Sequence, residues 1–307
     1  MAERLLQKYE GNPIITPADM PKEVLYTFNP GAIKHNGEYI MIMDATGLDD
    51  IHRLWLARSK DGIHFVPEEK PLPMPPKDPF HPEVHTYDPR ITKFGDVYYI
   101  MYASDMGNNM ARLGLLKTKD FVTFERVATA SDLGNRNGAL FPEKIDGLYC
   151  RFDRPFGSEQ DASAMWMSFS PDLVFWGKAR PLMYEGKPFI DGFKMGAGAV
   201  PIRTEKGWLE IYHTVSTTCN GFIYRLKAML LDLEKPWEVL GHTDFILYPE
   251  HDYEMRGRVS NVVFACNAIP EEDGSVKIYY GAADTNIGLA IGNINRLTEA
   301  CLQKEEA

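Results

Sequence analysis

Five polar residues recur at matching places along this sequence, and their side chains are of types that bind polar ligands. They are Asn29, Asp88, Asn137, Lys194 and Asn261. A single asparagine or aspartate at such a place is explained by local turn formation. Five at equivalent positions of a repeat predict instead a ring of polar side chains around one opening.

Basic residues close to this ring predict a site for a small anion. Arg136 directly precedes Asn137, while Lys194 and His213 come from the next repeat. Cationic side chains that converge in an otherwise acidic protein form an anion-binding site. Each residue alone has a simpler explanation, since a lone lysine is usually solvated and a strand histidine usually has a structural partner.

Acidic residues near the ring are candidates for proton transfer. Asp88 is the best placed of them, with Asp284 and Asp44 nearby. Hydrolysis of a glycosidic bond normally uses two carboxyl groups, and no second carboxylate matches Asp88 in an evident way. Four aromatic residues offer either sugar-stacking walls or packing between sheets: Tyr87, Trp208, Tyr212 and Tyr224.

The elements that must position these residues are short strands, which recur five times. Each unit has a strand that carries a polar-ring residue, then a strand rich in Tyr, Ile, Val and Met, then a third strand. The third strand is followed in four units by an aspartate and an aromatic residue. The first strands lie at 28–35, 87–94, 137–145, 194–202 and 260–269. The second strands lie at 37–44, 96–104, 147–154, 207–215 and 275–284. The third strands begin the segments 54–65, 113–124, 165–176, 224–237 and 288–294.

The repeat predicts an all-β fold, a five-bladed β-propeller with a central axial funnel. The four aligned aspartates, Asp61, Asp120, Asp172 and Asp232, are 59, 52 and 60 residues apart, and radial repetition of small sheets is typical of propellers. We expect residues 1–307 to form one domain, with 1–27 closing the ring and 295–307 as a short tail. A β-sandwich or two stacked β domains is the alternative.

Composition and charge exclude several classes of protein. The chain has 33 basic and 43 acidic residues, a net charge of −10, which disfavours nucleic acid and anionic membranes as partners. Its four cysteines are widely spaced and are expected to be free thiols. The N-terminal segment lacks the apolar stretch of a secretory signal, so we expect a cytoplasmic protein. No motif for a metal, nucleotide or other cofactor is evident.

Six motifs resemble glycoside hydrolase family 130 over nearly the whole chain. They are YDPRI (87–91), RNGALFPEKI (136–145), DGFKMGAG (191–198), GWLEIYH (207–213), LLDLEKPWEVL (230–240) and YYGAADT (279–285). The resemblance implies a five-bladed propeller that cleaves β-mannosides with inorganic phosphate and inverts the anomeric centre. The products would be α-D-mannose 1-phosphate and a shortened acceptor. Phosphate would be a co-substrate and no cofactor would be needed, because phosphate is itself the nucleophile and one carboxylic acid suffices.

The resemblance also implies roles for individual residues. Asp88 matches the catalytic acid, whose proton passes through a mannose hydroxyl in this family. The positions matched to phosphate contacts are Arg136, Asn137, Lys194 and His213. The positions matched to the sugar are Asn29, Arg90, Lys144, Tyr224 and Asp284. The expected partners are a small oligosaccharide and phosphate, with a homo-oligomer as a further possibility.

Two departures from the family and two alternatives remain open at this point. Pro30 replaces a small hydroxyl residue found in many relatives, and Asp44 replaces an arginine. One alternative is an inverting β-mannoside hydrolase with Asp44 or Glu143 as the base. The other is a carbohydrate-binding propeller without catalysis. The basic residues Arg136, Lys194 and His213 favour phosphorolysis, whereas the linkage and the acceptor sugar are left open.

Overall fold

The computed structural model of the chain describes residues 4–107, 110–129, 134–156, 164–219 and 221–303. Five antiparallel sheets in it form a five-bladed β-propeller, which confirms the predicted fold. Within the first three sheets the strands follow one another in chain order, so each of these sheets is a meander of consecutive segments, and the last two sheets contain a meander of the same kind. This order explains why the sequence repeats once per sheet.

The first three sheets have four strands each. The chain begins with β1 (Leu6–Lys8) and a 3₁₀ turn at Pro17–Asp19. The first sheet contains β2 (Val24–His35), β3 (Glu38–Gly47), β4 (His52–Ser59) and β5 (Val66–Pro67). The second contains β6 (His85–Phe94), β7 (Val97–Asp105), β8 (Arg112–Thr118) and β9 (Glu125–Thr129). The third contains β10 (Asn135–Leu140), β11 (Tyr149–Pro155), β12 (Trp166–Ser170) and β13 (Gly177–Pro181).

The last two sheets are less regular. A small hairpin of β14 (Met183–Tyr184) and β15 (Lys187–Pro188) precedes the fourth sheet. That sheet contains β16 (Lys194–Ala197), β17 (Ile202–Arg203), β18 (Trp208–Thr218), β19 (Gly221–Leu231) and β20 (Val239–His242). The fifth contains β21 (Val263–Pro270), β22 (Ser275–Ala282) and β23 (Asn286–Asn293). The α-helices among the described residues are α1 (Asp252–Met255) and α2 (Ile294–Leu302).

The N-terminal strand β1 belongs to the last sheet. Leu6, Gln7 and Lys8 pair antiparallel with Gly292, Ile291 and Ala290 of β23. The outermost strand of the fifth sheet is therefore supplied by the opposite end of the chain.

The predicted strand at 194–202 is two strands in the structure. Both β16 and β17 pair with β18, but residues 198–201 between them are not in a strand. Pro201 has no N–H to donate to a ladder, which accounts for an interruption just before Ile202.

A bulge interrupts the first strand of each of the first three sheets at a polar-ring residue. The irregularities fall between Phe28 and Gly31, between Tyr87 and Arg90, and between Arg136 and Ala139. The bulged residues Asn29, Asp88 and Asn137 have φ of 47°, 54° and 52°. Asparagine and aspartate tolerate this left-handed conformation better than other side chains, and each is followed by proline or glycine. A bulge redirects a side chain, so the local sequence places these three residues.

The four aligned aspartates form the same turn after the third strand of their sheets. Each accepts hydrogen bonds through Oδ1 from the backbone N–H groups two and three residues later, over 2.8–2.9 Å. These bonds lower the pKa of Asp120 and Asp172. The repeated aspartates thus have a structural role in ending a strand.

Apolar clusters between neighbouring sheets hold the propeller together. One cluster combines Leu209 and Leu226 of the fourth sheet with Val263 and Ile278 of the fifth. Another combines side chains of the first and second sheets, among them Ile40 and Ile100. Burial of a leucine or isoleucine side chain contributes roughly 1.5–3 kcal/mol. This packing between neighbouring sheets fixes the positions of their strands.

The four cysteines are free thiols, as predicted: Cys150, Cys219, Cys266 and Cys301. Within the described ranges, no helix is both long and apolar enough to cross a membrane.

Candidate active site

All five sheets contribute side chains to one pocket of ≈ 420 Å³. The first and second sheets with their loops supply Phe28, Asn29, Asp44, Asp50, His52, His85, Tyr87, Asp88 and Asp105. The remaining sheets supply Arg136, Asn137, Arg154, Tyr224, Arg258, Val259, Val262, Phe264 and Asp284. Six of the ten predicted site residues therefore line the same pocket: Asn29, Asp88, Arg136, Asn137, Tyr224 and Asp284.

Asp88 is held in the pocket by neighbours on three sheets. Its Oδ1 accepts a hydrogen bond of 2.7 Å from Nδ2 of Asn29 on the first sheet. Its carbonyl accepts one of 3.2 Å from Arg90, whose guanidinium also binds the carbonyls of Ala197 and Gly198 at 2.7 and 2.8 Å. Asp88 is 8% exposed, so its carboxyl group is both fixed and accessible to a ligand.

Two arginines of the third sheet form what we call the cation wall, Arg136 and Arg154. The Arg136 guanidinium lies 5.1 Å from the ring centre of Phe156 and 5.6 Å from that of Tyr87. Burial and then the charge of Arg136 lower the pKa of Arg154 to about 10. Among the described residues, neither arginine forms a salt bridge. Two like charges without a counter-ion favour the binding of an anion between them.

His213 and Lys194 do not line the pocket, since His213 lies behind Arg154 and Lys194 lies behind Tyr224. Nε2 of His213 is 3.5 Å from Nη1 of Arg154. The His213 ring stacks on that of Tyr224, with the two ring centres 6.1 Å apart. Burial and then the charge of Arg154 hold the pKa of His213 well below its usual value, so the ring is neutral. The Lys194 ammonium lies 5.3 Å from the ring centre of Tyr224. The structure therefore groups these predicted basic residues, with His213 and Lys194 as a second layer.

Two carboxylates form what we call the carboxylate wall. Asp44 is on β3 of the first sheet, and Asp284 is in the turn between β22 and β23 of the fifth. Burial raises the pKa of Asp44 to about 6, although the hydrogen bond with His52 opposes part of this effect. Burial and the charges of Asp88 and Asp44 raise the pKa of Asp284 to about 7. Three carboxyl groups that repel one another in one pocket are typical of a functional site.

His52 connects the carboxylate wall to Arg258. Nδ1 of His52 is 2.7 Å from Oδ2 of Asp44, and its Nε2 is 2.9 Å from Nη1 of Arg258. Burial disfavours the charged form of His52, but the hydrogen bond and charge of Asp44 outweigh it and raise the His52 pKa. This chain of contacts fixes the Asp44 carboxylate in one orientation.

Two predicted sugar-binding residues, Arg90 and Lys144, do not line the pocket. Arg90 is 1% exposed and bridges backbone carbonyls of the second and fourth sheets beneath Asp88. Lys144 is exposed, with its ammonium 4.2 Å from the ring centre of Tyr149. The strand before Lys144 ends at Leu140, so the chain has left the pocket before it reaches this lysine.

The predicted ring of five polar residues is reduced to three. Asn29, Asp88 and Asn137 occupy equivalent bulges and line the pocket. Lys194 starts β16 opposite Val215 with no bulge, and Asn261 precedes β21 and is absent from the pocket lining. The first strands of the fourth and fifth sheets have a different register, which the sequence repeat does not reveal.

The aromatic residues divide between the two roles that the sequence left open. Tyr87 and Tyr224 line the pocket. Trp208 and Tyr212 are buried, and they donate hydrogen bonds to the Leu233 carbonyl and to Asp191. Trp208 and Tyr212 therefore pack between sheets and do not line the pocket.

Sequence reasoning missed Arg154, His52 and Arg258. Arg154 lies on β11 opposite Arg136, at the place where Asp44 lies opposite Phe28 in the first sheet. Alignment of the second strands of the repeat was a signal that could have found it. His52 and Arg258 had no such signal, because they come from a third strand and a loop. Among the described residues, no group of three or more His, Cys, Asp or Glu side chains is arranged to hold a metal ion.

Known proteins resemble this chain over nearly its whole length. A family model described as beta-1,4-mannooligosaccharide phosphorylase matches residues 2–303. The beta-1,4-mannooligosaccharide phosphorylase of Ruminococcus albus is 34% identical over 305 residues, which cover 96% of this chain and 90% of that protein. The 1,2-beta-oligomannan phosphorylase of a Thermoanaerobacter species is 35% identical, covering 93% of this chain and 96% of its own.

A solved structure is similar over the whole propeller. The beta-1,2-mannobiose phosphorylase of Listeria innocua, in complex with beta-1,2-mannobiose, superposes with a TM-score of 0.84 at 30% identity. The alignment covers 96% of this chain and 99% of that one. The chain therefore belongs to glycoside hydrolase family 130 and is an enzyme of the glycoside phosphorylase type.

Proposed function

We propose that this enzyme catalyses inverting phosphorolysis of β-mannosides, which gives α-D-mannose 1-phosphate and a shortened acceptor. The observation that carries the proposal is the cation wall, since Arg136 and Arg154 face the pocket of Asp88 without a carboxylate partner among the described residues. The names of the relatives support the same reaction class.

In the proposed reaction, inorganic phosphate binds at the cation wall and attacks the anomeric carbon of the mannosyl residue. A bond forms from a phosphate oxygen to this carbon while the bond to the acceptor oxygen breaks. Asp88 supplies the proton that the departing oxygen needs, directly or through a mannose hydroxyl. Because phosphate is the nucleophile, the reaction needs no protein base.

The second layer supports the phosphate site electrostatically. His213 is neutral and meets Arg154 at 3.5 Å, so it adds no further positive charge beside the two arginines. The Lys194 ammonium behind Tyr224 adds positive potential without direct access to the pocket. We infer that Asn137, Asn29, Tyr224 and Asp284 contact phosphate or sugar from the pocket lining.

Hydrolysis is the second candidate, and one observation favours it. Asp44 lines the pocket and its pKa is raised to about 6, which suits a base. Glu143, the other predicted base, is half-exposed, pairs with Arg203 at 3.4 Å and does not line the pocket. Hydrolysis would leave the two unpaired arginines without a role.

Product analysis tests the proposal. The purified protein is incubated with β-1,4- or β-1,2-mannobiose, with and without inorganic phosphate, and products are followed by NMR. We expect α-D-mannose 1-phosphate and one mannose per disaccharide consumed, and no turnover without phosphate. Release of two mannose molecules at a rate independent of phosphate would establish hydrolysis instead. The disaccharide that reacts faster identifies the linkage.

A further inference from the structure

The Asp44 carboxylate has one oxygen that the protein leaves unsatisfied. The residue is 0% exposed and lines the pocket. Its Oδ2 contacts Nδ1 of His52 at 2.7 Å, whereas its Oδ1 is buried and has no hydrogen-bond partner among the described residues. A buried carboxylate oxygen without a donor is energetically costly. A bound ligand that donates a hydrogen bond would remove this cost.

The groups around Asp44 hold it in a fixed orientation. His52 bridges Asp44 and Arg258, and Arg258 also contacts Oγ1 of Thr46 at 3.2 Å and Oδ1 of Asp50 at 3.3 Å. A carboxylate whose other oxygen is held this firmly presents Oδ1 in one direction. This is the property of a residue that discriminates between ligands.

The charges near Asp44 define the chemistry of its ligand. Burial and, to a smaller extent, the charge of Asp88 raise the pKa of Asp44, and burial with the charges of Asp88 and Asp44 raises that of Asp284. An anion such as phosphate is disfavoured on this side of the pocket, whereas a neutral hydroxyl group is a suitable donor. A saccharide supplies many such groups.

The position of Asp44 relative to the cation wall indicates which saccharide it meets. Asp44 is on the first sheet, Arg136 and Arg154 are on the third, and Asp88 on the second lies between them in blade order. In a displacement with inversion, the nucleophile and the leaving group are on opposite sides of the anomeric carbon. With phosphate at the cation wall, the leaving sugar lies toward the first sheet.

A second cavity adjoins the pocket on this same side. It has a volume of ≈ 380 Å³, shares His52 with the pocket, and is lined also by Arg53, Leu54, Met74 and Lys77 between the first and second sheets. His52 therefore lies between the pocket and this second cavity.

We propose that Asp44, held by His52, binds a hydroxyl group of the acceptor sugar and sets which acceptors the enzyme uses. The acceptor is the sugar that leaves in phosphorolysis and attacks in synthesis, so this assignment rests on the proposed function. Asp44 contacts the substrate through Oδ1, and His52 is a positioning residue that acts through Asp44.

The test is synthesis from α-D-mannose 1-phosphate with the variants Asp44→Asn and His52→Gln. In Asp44→Asn, His52 turns the amide oxygen toward itself, so an NH₂ donor takes the place of the Oδ1 acceptor. We expect the KM for the acceptor mannose to rise 10-fold or more, and the KM for mannose 1-phosphate to change less than 3-fold. The matched control is Asp49→Asn, since Asp49 is on the same hairpin, pairs with Arg53 on the surface and does not line the pocket.

A series of monodeoxy mannose acceptors sharpens the test. One deoxy acceptor should react poorly with the wild type and lose that disadvantage in Asp44→Asn, because the missing hydroxyl and the missing carboxylate remove the same contact. His52→Gln should show a smaller rise in acceptor KM, and thermal unfolding should show that both variants fold. An unchanged acceptor KM, or an equal rise in the KM for mannose 1-phosphate, would overturn the assignment.

Failure of the proposed function itself would look different. In that case the wild type forms no product from mannose 1-phosphate with any acceptor. Calorimetric titration with β-1,4- and β-1,2-mannobiose then tests only whether Asp44 contacts the sugar. Binding at least 10-fold weaker in Asp44→Asn than in Asp49→Asn supports a sugar contact, whereas equal affinity in the two variants contradicts it.

Discussion

The two walls of the pocket differ in how their charges are compensated. The cation wall has two guanidinium groups with no carboxylate partner among the described residues. In the carboxylate wall, Asp44 is paired with His52, whereas burial and then the charges of Asp88 and Asp44 raise the pKa of Asp284. Each wall is thus incomplete until a ligand binds. One wall suits an anion and the other suits hydroxyl groups, and Asp88 lies where the two meet.

The largest expected effect is at this meeting point. Asp88→Asn keeps the shape of the side chain and removes the proton donor. We expect kcat to fall about 10²–10⁴-fold, the usual contribution of general acid catalysis, in both phosphorolysis and synthesis. Initial rates in both directions measure this. Asp96→Asn is the control, because Asp96 is exposed and pairs with Lys119; a near-native rate for Asp88→Asn would remove Asp88 from the mechanism.

The next largest effect is expected at the cation wall. Arg154→Met removes one guanidinium and should lower kcat/KM for phosphate roughly 100-fold, since charge-assisted hydrogen bonds to phosphate are strong. Arg154→Lys should recover part of the loss by restoring the charge. The control is Arg203→Met on the surface. Equal losses for phosphate and for the mannoside would contradict a separate phosphate side.

A smaller effect is expected in the second layer. Lys194→Ala removes positive potential behind Tyr224 and should raise the KM for phosphate about 10-fold with little change in the KM for the sugar. Lys144→Ala serves as the comparison, because its ammonium lies on the surface against Tyr149. If Lys194→Ala altered only sugar affinity, the phosphate assignment of this lysine would be wrong.

The smallest effect concerns stability on the carboxylate wall. The pKa of Asp284 in the folded protein, about 7, exceeds the usual carboxyl value, so folding favours its protonated form. Its stabilising contribution is present below about pH 4 and is lost as the pH rises through 7. Asp284→Asn should therefore gain stability relative to the wild type over this range, by on the order of 1–3 kcal/mol, while losing activity.

Thermal and urea unfolding at pH 4 and at pH 8 check the stability of Asp284→Asn. The variant and the wild type should be similar at pH 4, with the variant more stable at pH 8. A difference that is the same at both pH values would mean that the Asp284 carboxylate is not destabilised by burial and repulsion.

Local sequence predicts the parts of the site that depend on local backbone. Asn29, Asp88 and Asn137 each precede proline or glycine, and each takes the left-handed conformation of a bulge. The strand spacing likewise predicts the five sheets, because the strands of each sheet, apart from β1, are consecutive in the chain. These features need no knowledge of distant contacts.

Register and strand ends account for what sequence reasoning missed. β11 carries both Arg151 and Arg154, and pairing with β10 places Arg154 opposite Arg136 and Arg151 opposite Leu140. Side chains three residues apart on a strand face opposite sides of the sheet. A shift of the pairing register by one residue would therefore turn Arg151 toward the side that Arg154 now faces. Lys144 does not line the pocket because the strand before it ends at Leu140 and does not continue to residue 145. Such ends depend on pairing across the sheet.

Calorimetric titration with inorganic phosphate tests the central claim most directly, because it needs no sugar and no turnover. It compares the wild type with the double variant Arg136→Met/Arg154→Met and with Asp284→Asn at constant ionic strength. We expect saturable binding to the wild type, an affinity at least 10-fold lower in the double variant, and no loss in Asp284→Asn. Equal phosphate affinity in the wild type and the double variant would contradict the claim that the cation wall holds the nucleophile.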